Sequence, residues 1–393
     1  MPVAFLASSL VAYVGGHTIN YALILYLQER VGSGLLAGIG FALCFGSSLV
    51  FGWAAGAYAD RVSPVRMIHI AHACFLLCLG GLAAANAFAP DAWLPWAVLA
   101  SALLGGIGWS IFGPARMAAL GRITDTAHLR PVTILFNLTV MIGFGLAPLL
   151  IGVARAHGGW PPVFAMSAAC YLVSSLLLVS VRTPMPAREE PVRILTAVKA
   201  GFAAIRARPL LAQFMMAAVI GLAVTGPLQL LLPRLARDIL GLSEVARGAF
   251  LGLFALALIV GGIIALPLGS RIAHGRTIFV GVSAVGLLFA SLALPHTVLT
   301  ASLTLGALGI AAGLAVSFIV AGIQLHAPEA MRGRIMGTYS IVSQVVPSLS
   351  GVLAGALLQA VGVLPALALS GMALFAAGVV AARAMPELRR WRH

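Results

Sequence analysis

The chain has 393 residues, of which 61% are hydrophobic and only 9% carry a charged side chain, whereas about 25% are charged in an ordinary soluble domain. The formal net charge is +14, but the basic residues lie scattered at the ends of long apolar runs, which indicates membrane topology rather than a nucleic-acid interface. This composition excludes an ordinary soluble protein and predicts a chain that spans a lipid bilayer.

Twelve apolar runs follow one another along the chain, each long enough to cross a hydrocarbon core of about 30 Å as a helix. The first run lacks a basic start and a small-residue cleavage site, so we interpret it as segment 1 rather than as a signal peptide. The strands of a membrane β-barrel would be about ten residues long and alternate in polarity, which these continuous runs do not. We therefore predict an all-α membrane protein with twelve transmembrane segments, at approximately residues 3–28, 33–58, 66–88, 95–115, 130–155, 161–181, 209–236, 245–268, 277–295, 298–326, 335–360 and 363–384.

Lysine and arginine are concentrated on one side of the predicted membrane. All but five of the 24 basic residues fall on the side that carries both termini, and the exceptions are Arg30, Arg155, Arg234, Arg237 and Arg247. Because basic residues are retained on the cytoplasmic side during insertion, both termini are predicted to be cytoplasmic. We expect a multi-pass protein of the inner or plasma membrane, with basic residues that also attract anionic lipid.

The longest polar interval divides the segments six and six. It predicts an N-terminal bundle at residues 1–181, a cytoplasmic linker at 182–208 and a C-terminal bundle at 209–393. The first part of the linker has three prolines, which resist helix formation, whereas residues 192–206 alternate apolar and basic positions as an interfacial helix does. The linker is interpreted as a tether at the membrane surface, with a regulatory role as the alternative.

The two halves carry matching basic pairs. Arg61 and Arg66 follow segment 2, and Arg271 and Arg276 follow segment 8 with the same spacing. A weaker match joins Gly-Arg-Ile at residues 121–123 to Gly-Arg-Ile at residues 333–335. Duplication of a six-helix unit is typical of transporters that bind their solute near the middle of the membrane, between the units.

Four sequence motifs carry a family resemblance. They are Gly56-x3-Asp60-Arg61-x4-Arg66, FGPAR at residues 112–116, LPRLARDILGLSEVARGAFLGL at residues 232–253 and MRGRIMGTYSIV at residues 331–342. With these motifs the whole chain resembles the major facilitator superfamily, and within it the branch that contains the enterobactin exporter and related efflux proteins. The resemblance implies two pseudo-symmetric six-helix bundles that carry a solute by alternating access.

The same resemblance implies that Asp60 is a conformational latch, supported by Gly56, Arg61 and Arg66. In such transporters the aspartate engages the partner half, here at the start of segment 11, where free backbone N–H groups favour an anion. Arg116 is predicted as its second partner. In the alternative interpretation the loop only sets topology and the acid balances two arginines, since surface ion pairs are weak.

His17 is the predicted coupling residue, because it is the only titratable group about halfway across the membrane. None of the ten acidic residues is deep, and ALLGGIGWS in segment 4 has no arginine of the kind that many proton-driven relatives use. A titratable residue inside the membrane indicates function, and imidazole titrates near physiological pH. A neutral histidine bonded to a neighbouring helix is the alternative.

The predicted substrate-binding residues are the polar side chains that share helix faces with one another. Asn20 and Tyr21 follow His17 at i+3 and i+4. The full predicted set is His17, Asn20, Tyr21, Trp109, Asn137, Thr225, Gln229, Ser340, Ser343 and Gln344. These aromatic, amide and hydroxyl groups favour a neutral, amphipathic or anionic solute over a strongly cationic one. No metal ligand is predicted, because His69, His72, Cys74 and Cys78 do not share one helix face.

The residues favour a carrier over an enzyme. The chain has no nucleotide-binding glycine loop, paired carboxylates or metal-spaced acids. GFGLAPLLIG at residues 143–152 resembles a motif of antiporters in the superfamily, which favours export. We predict a monomeric, proton-coupled exporter of a drug, siderophore or amphipathic metabolite, without cofactor, metal or nucleic acid. The alternatives are an uptake porter for a metabolite or anion and a transporter-fold receptor without flux.

Overall fold

The computed structural model describes residues 2–52, 62–125, 128–181, 183, 201–268, 274–294 and 297–391. Within these ranges the regular secondary structure is helical, without a strand. Eleven described helices are long and apolar enough to cross a membrane, and a further apolar helix, Gly275–Ser291, is shorter. The all-α prediction is confirmed, and the count of twelve segments is approximately confirmed.

The principal helices are numbered in chain order. They are α1 (Pro2–Glu29), α2 (Gly34–Gly46), α3 (Pro64–Phe88), α4 (Leu94–Ile123), α5 (Leu129–Gly158), α6 (Trp160–Leu178), α7 (Pro209–Leu222), α8 (Thr225–Arg234), α9 (Glu244–Leu268), α10 (His274–Ser291), α11 (Val298–His326), α12 (Arg332–Val361), α13 (Val363–Ala384) and α14 (Pro386–Arg390). A π-helical turn, Leu235–Ile239, follows α8, and a 3-10 turn, Glu329–Met331, precedes α12. Of the predicted linker helix, residues 201–206 are described and are helical.

Side-chain caps fix several helix starts. Ser63 precedes α3 and accepts a hydrogen bond from the backbone N–H of Arg66, while Pro64 occupies the first turn. Thr297 and Thr300 form a reciprocal capping box at the start of α11. Because the first four N–H groups of a helix have no partner within it, these hydroxyl acceptors determine where the chain turns into the membrane.

Two predicted segments differ from the observed helices. Predicted segment 7 is divided into α7 and α8, and Pro227 lies in the first turn of α8. Proline has no N–H to donate to the carbonyl four residues earlier, which interrupts the ladder at this point. Predicted segment 4 ended at residue 115, whereas α4 continues to Ile123. Arg116, which the sequence analysis counted with the loop, is therefore inside a helix.

The chain divides into two compact units. The first contains Met1–Ile194 together with Leu242–Gly252, and the second contains Leu195–Gly241 together with Leu253–His393. In the first unit, α1 is the central helix and contacts α2, α4, α5 and α6. In the second unit, α10 packs on α11 and α13, and α12 packs on α7 and α8. The bundle boundaries proposed from the sequence stay a prediction.

The internal repeat has a counterpart in two helices of equal length. α5 and α12 each have 30 residues and each contain one proline in the helix interior, Pro148 and Pro347, while α5 has a second proline, Pro131, in its first turn. Each helix ends at a glycine with positive φ, 72° at Gly159 and 81° at Gly362, and the next helix begins directly afterwards. Since only glycine adopts this conformation without strain, the same single-residue connection closes the corresponding helix pair in both halves.

Candidate functional site

His17 lies on α1 among aromatic rings of the first unit. Its ring centroid is 5.2 Å from that of Phe144, 5.6 Å from that of Trp109 and 6.2 Å from that of Tyr13. The side chain is only 8% exposed. Its Nε2 atom is buried and has no hydrogen-bond partner in the described part of the chain. A buried polar atom of this kind can be satisfied by a water molecule or by a polar group of a bound molecule.

Asn20 lies one turn further along α1 and holds Trp109 in place. Its Oδ1 atom accepts hydrogen bonds from the indole Nε1 of Trp109 at 3.1 Å and from the Sγ of Cys44 at 2.9 Å. These two donors fix the orientation of the amide, because the flipped amide would turn an N–H group toward both of them. The Nδ2 donor is consequently the atom that faces away, and it is buried without a partner among the described residues.

Tyr21 extends the same face of α1. It is 5% exposed, and its ring centroid lies 5.8 Å from that of Phe144. Tyr21 also lines a small cavity of the first unit, with a volume of about 10 Å³, together with Pro148, Glu244 and Arg247. This volume corresponds to roughly one water molecule. The structure thus brings together four predicted site residues of the first unit: His17, Asn20, Tyr21 and Trp109.

Three aromatic residues of this site, Tyr13, Phe45 and Phe144, were not named in the sequence analysis. Trp109 is half-buried and stacks on Phe45, with ring centroids 6.2 Å apart and planes inclined by 19°. Tyr13 and Phe144 complete the surroundings of His17. Tyr13 precedes His17 by four positions, so helical spacing could have identified it. Phe45 and Phe144 come from other helices, and no short-range pattern connects them to His17.

The fifth predicted residue of the first unit, Asn137, has an exposed side chain on α5. Its neighbour Phe136 is buried and packs against Tyr13, with ring centroids 5.8 Å apart. Asn137 is therefore adjacent in sequence to a residue that packs on the aromatic site, but its own side chain is not packed inside the unit.

The remaining predicted residues belong to the second unit. Thr225 and Gln229 are one turn apart on α8; Gln229 is 5% exposed, and its Oε1 is buried without a hydrogen-bond partner in the described ranges. On α12 the Ser343 hydroxyl donates to the backbone oxygen of Ser340 at 2.8 Å, and the Nε2 of Gln344 lies 3.5 Å from that oxygen. These polar groups are distributed along two helices that pack together within this unit.

Arg116 is a fully buried cation within the first unit. Its guanidinium donates to Ser9 Oγ at 2.6 Å, to Ser174 Oγ at 3.0 Å and to Ser8 Oγ at 3.2 Å. It also lies 3.4 Å from His72 Nε2, and its Cζ is 4.7 Å from the centroid of the Phe112 ring. Hydroxyl oxygens of α1 and α6 accept from its two terminal nitrogens, whereas Nε is buried without a partner in the described ranges. These hydrogen bonds offset part of the cost of burying the charge.

The other predicted latch residues lie mostly beyond the described ranges. Gly56, Asp60 and Arg61 are outside the described residues. Arg66 is exposed in the first turn of α3. The latch stays a prediction.

A cluster of four charged residues joins α1, α5 and the start of α9 within the first unit. Glu29 is paired with Arg155 and, at 3.1 Å, with Arg247. Glu244 is paired with both arginines, at 3.5 Å from Arg155. The Cζ of Arg155 also lies 4.3 Å from the centroid of the Trp160 ring. The four side chains are 9–31% exposed, and we call them the charged cluster.

Glycines let the start of α9 approach α5 next to the charged cluster. A Cβ atom at Gly248 would overlap the carbonyl oxygen of Pro148, and one at Gly152 would overlap the carbonyl oxygen of Glu244. Gly152 belongs to the GFGLAPLLIG stretch. The backbones of the two helices are therefore in direct contact. The charged cluster lies beside this contact.

Comparison with known proteins covers nearly the whole chain. The enterobactin exporter EntS of Escherichia coli O1:K1 / APEC is 25% identical over 382 residues, which is 95% of this chain and 89% of the relative. EntS of Salmonella typhimurium is 25% identical over 386 residues, with the same shares.

Solved structures share the fold. The nucleoside transporter NupG has a TM-score of 0.77 at 15% identity, covering 100% of this chain and 99% of that one. A bacterial homologue of the human lysosomal transporter Spinster has a TM-score of 0.74 at 15% identity, covering 99% and 98%. The sequence model of the Major Facilitator Superfamily matches residues 5–351. Because this match spans most of the helices, the chain belongs to the major facilitator superfamily and is a multi-pass membrane transporter rather than an enzyme.

Proposed function

We propose that the chain exports a small organic solute from the cytoplasm and that an inward flow of protons drives this export. The observation that carries the direction is the similarity to enterobactin exporters, at 25% identity over 95% of the chain. The solute class that we propose is a drug, a siderophore or an amphipathic metabolite.

The solute is proposed to bind at the aromatic and polar residues of α1 and α4. His17, Asn20, Tyr21 and Trp109 are mutual neighbours, and two of them present buried polar atoms without partners in the described ranges. Such groups are what a polar solute can satisfy. Asn137 is proposed as a further contact from the first unit. The polar residues proposed from the second unit are Thr225, Gln229, Ser340, Ser343 and Gln344.

His17 is proposed as the coupling group. It is the titratable side chain with the deepest predicted position, and its described neighbours are aromatic rather than acidic. Proton binding at His17 would add charge to this aromatic site and so change its affinity for the solute.

Alternating access is proposed to involve bundles at residues 1–181 and 209–393, joined by the linker 182–208. The latch would consist of Asp60 with Gly56, Arg61, Arg66 and Arg116. We propose that the protein is a monomer of the inner or plasma membrane with both termini in the cytoplasm. The asymmetric distribution of lysine and arginine supports this orientation.

Direction is tested in cells and in oriented vesicles. Cells that express the chain should accumulate less of a transported dye than cells without it, and inside-out vesicles should take up the dye when their lumen is acidified. Dye accumulation in cells would instead support the uptake alternative. Binding without flux in proteoliposomes would support a receptor.

A further inference from the structure

The amide of Asn20 presents a hydrogen-bond donor that the described protein does not use. Its Oδ1 is occupied by Trp109 and Cys44, so the amide cannot rotate to exchange its two ends without losing both bonds. Nδ2 is left buried without a partner, in a side chain that is 2% exposed. An N–H group that is both fixed and unsatisfied is complementary to an acceptor atom on a bound molecule.

A second unsatisfied atom lies one turn away on the same helix. His17 Nε2 is buried without a partner in the described ranges, in a side chain that is 8% exposed. Residues three apart on a helix are neighbours on its surface. The two side chains are therefore neighbours on the helix surface, and their unsatisfied atoms offer two polar contacts, which two polar groups on one solute, or one polar group and a water molecule, can satisfy.

The groups around these atoms are aromatic rather than aliphatic. Phe45, Trp109 and Phe144 are all half-buried, so parts of their rings remain free for contact. Trp109 is held by its hydrogen bond to Asn20, and Phe45 stacks nearly parallel to it. A planar ring gains additional stabilisation from such surfaces through stacked or edge-to-face contacts, whereas a saturated ring gains only apolar contact.

We propose that this site binds solutes in which an aromatic ring carries an oxygen acceptor, such as a carbonyl, carboxylate or phenolic oxygen. The ring packs on Trp109 with Phe45 or Phe144, and the oxygen accepts from Asn20 Nδ2. This inference rests on the proposed function, because it specifies the solute class of the same site. It assigns Asn20 to acceptor recognition and Trp109 to ring recognition.

An organic cation is the alternative occupant of an aromatic site, because the faces of aromatic rings attract positive charge. The polar group that is fixed here is an N–H donor, which an ammonium group cannot satisfy. Glu244, the carboxylate that shares a small cavity with Tyr21, is already paired with Arg155 and Arg247. The site therefore favours a neutral or anionic acceptor over a cation.

Matched probes test the solute class on the purified full chain in lipid nanodiscs. The probes are 2-naphthamide, the corresponding amide of the fully saturated ring system, naphthalene and 2-naphthyltrimethylammonium. Calorimetry should give an affinity for 2-naphthamide about tenfold higher than for the saturated amide, the effect of one favourable ring contact. The affinity for 2-naphthamide should also exceed the affinity for naphthalene. Equal affinities for the two amides, strongest binding of the ammonium probe, or no binding of any probe would overturn the proposal.

Two variants and one control assign the roles. Asn20→Leu should weaken 2-naphthamide about tenfold more than it weakens naphthalene, because both probes lose the support that Asn20 Oδ1 gives to Trp109, but only 2-naphthamide loses a hydrogen bond from Nδ2. Trp109→Ala should weaken both 2-naphthamide and naphthalene. Asn86→Leu is the matched control, because Asn86 lies elsewhere in the first unit and accepts from Tyr26, and it should leave the affinities for all four probes unchanged. If Asn20→Leu does not fold, the comparison of probes on the parent protein still decides the solute class.

Flux separates this inference from the proposed function. If proteoliposomes export both amides equally well, the carrier proposal holds and the aromatic preference is wrong. If 2-naphthamide binds with the expected preference but is not moved, the site is correct and the proposed export of this solute class fails.

Discussion

Arg247 near the start of α9 donates from Nη1 to the Oε1 of Glu29 at the end of α1 over 3.1 Å, which joins residues 218 positions apart. Both side chains are nearly enclosed, with 9% and 12% of their surfaces exposed. Glu29 also forms an ion pair with Arg155, which lies near the end of α5. A charge in this position is stabilised by its partners and would be costly without them.

We expect Glu29→Gln to destabilise the protein, because it leaves Arg155 and Arg247 near a neutral side chain. The expected loss is about 1.5–3 kcal/mol, the range for hydrogen bonds to charged groups. Thermal unfolding in nanodiscs measures it. The double variant Glu29→Gln/Arg247→Gln should be less destabilised than the sum of the single variants, since the pair shares one interaction.

Asp238 provides the matched control. It pairs with Arg234 at the same distance of 3.1 Å, but the two side chains are 19% and 32% exposed. Asp238→Asn should cost less than about 1 kcal/mol, as exposed pairs do. Equal losses for Glu29→Gln and Asp238→Asn would show that enclosure does not determine the strength of the charged cluster.

The apolar runs were sufficient to predict most of the helices, because a span of about 20 apolar residues has few other stable placements. Arg116 shows the limit of this reasoning. A single charge was interpreted as the end of segment 4, but hydroxyl groups from distant helices allow it inside the unit. The charged cluster was not predictable for a related reason: its members come from three separate stretches of the chain, at Glu29, at Arg155 and at Glu244 with Arg247, and the two arginines were considered only as topology signals. The proposed substrate contacts stay predictions.

The close contact between α5 and α9 predicts that Gly248→Ala is destabilising. The added methyl group would overlap the carbonyl oxygen of Pro148, and a backbone atom cannot move away as a flexible side chain can. Overpacking of this kind typically costs about 1–3 kcal/mol. Gly113→Ala is the control, because no described atom outside the local backbone of α4 lies within 4 Å of the new methyl group. Helix propensity should make this second variant neutral or slightly more stable. Similar unfolding temperatures for the two variants would contradict the inferred backbone contact.

The latch proposal predicts that Asp60→Asn reduces the population that is open to the outside. The reason is the lost charge, which a helix N-terminus or an arginine would otherwise favour. A reporter cysteine at Asn137 or Ser340, both exposed, is introduced after the four native cysteines are replaced by serine. Labelling by an impermeant maleimide should decrease from the outside and increase from the inside. Asp60→Glu should keep the parent pattern, and unchanged labelling from both sides in Asp60→Asn would refute the latch.

The coupling proposal predicts that His17→Phe abolishes the dependence of flux on a pH gradient while the protein stays folded. Phenylalanine preserves a planar ring among Tyr13, Trp109 and Phe144, so the packing is retained and the titratable nitrogen atoms are lost. Among these three neighbours only Tyr13 is itself titratable, and Tyr13→Phe is therefore the companion variant. The measurement is the flux of 2-naphthamide into inside-out proteoliposomes, once with the lumen at the pH of the outer buffer and once with the lumen at lower pH. The ratio of the second flux to the first gives the dependence on the pH gradient. The parent and Tyr13→Phe should respond to luminal acid, and His17→Phe should not. A full response in His17→Phe would remove the histidine from coupling and direct attention to the carboxylates of the charged cluster, Glu29 and Glu244, as the next groups to be replaced.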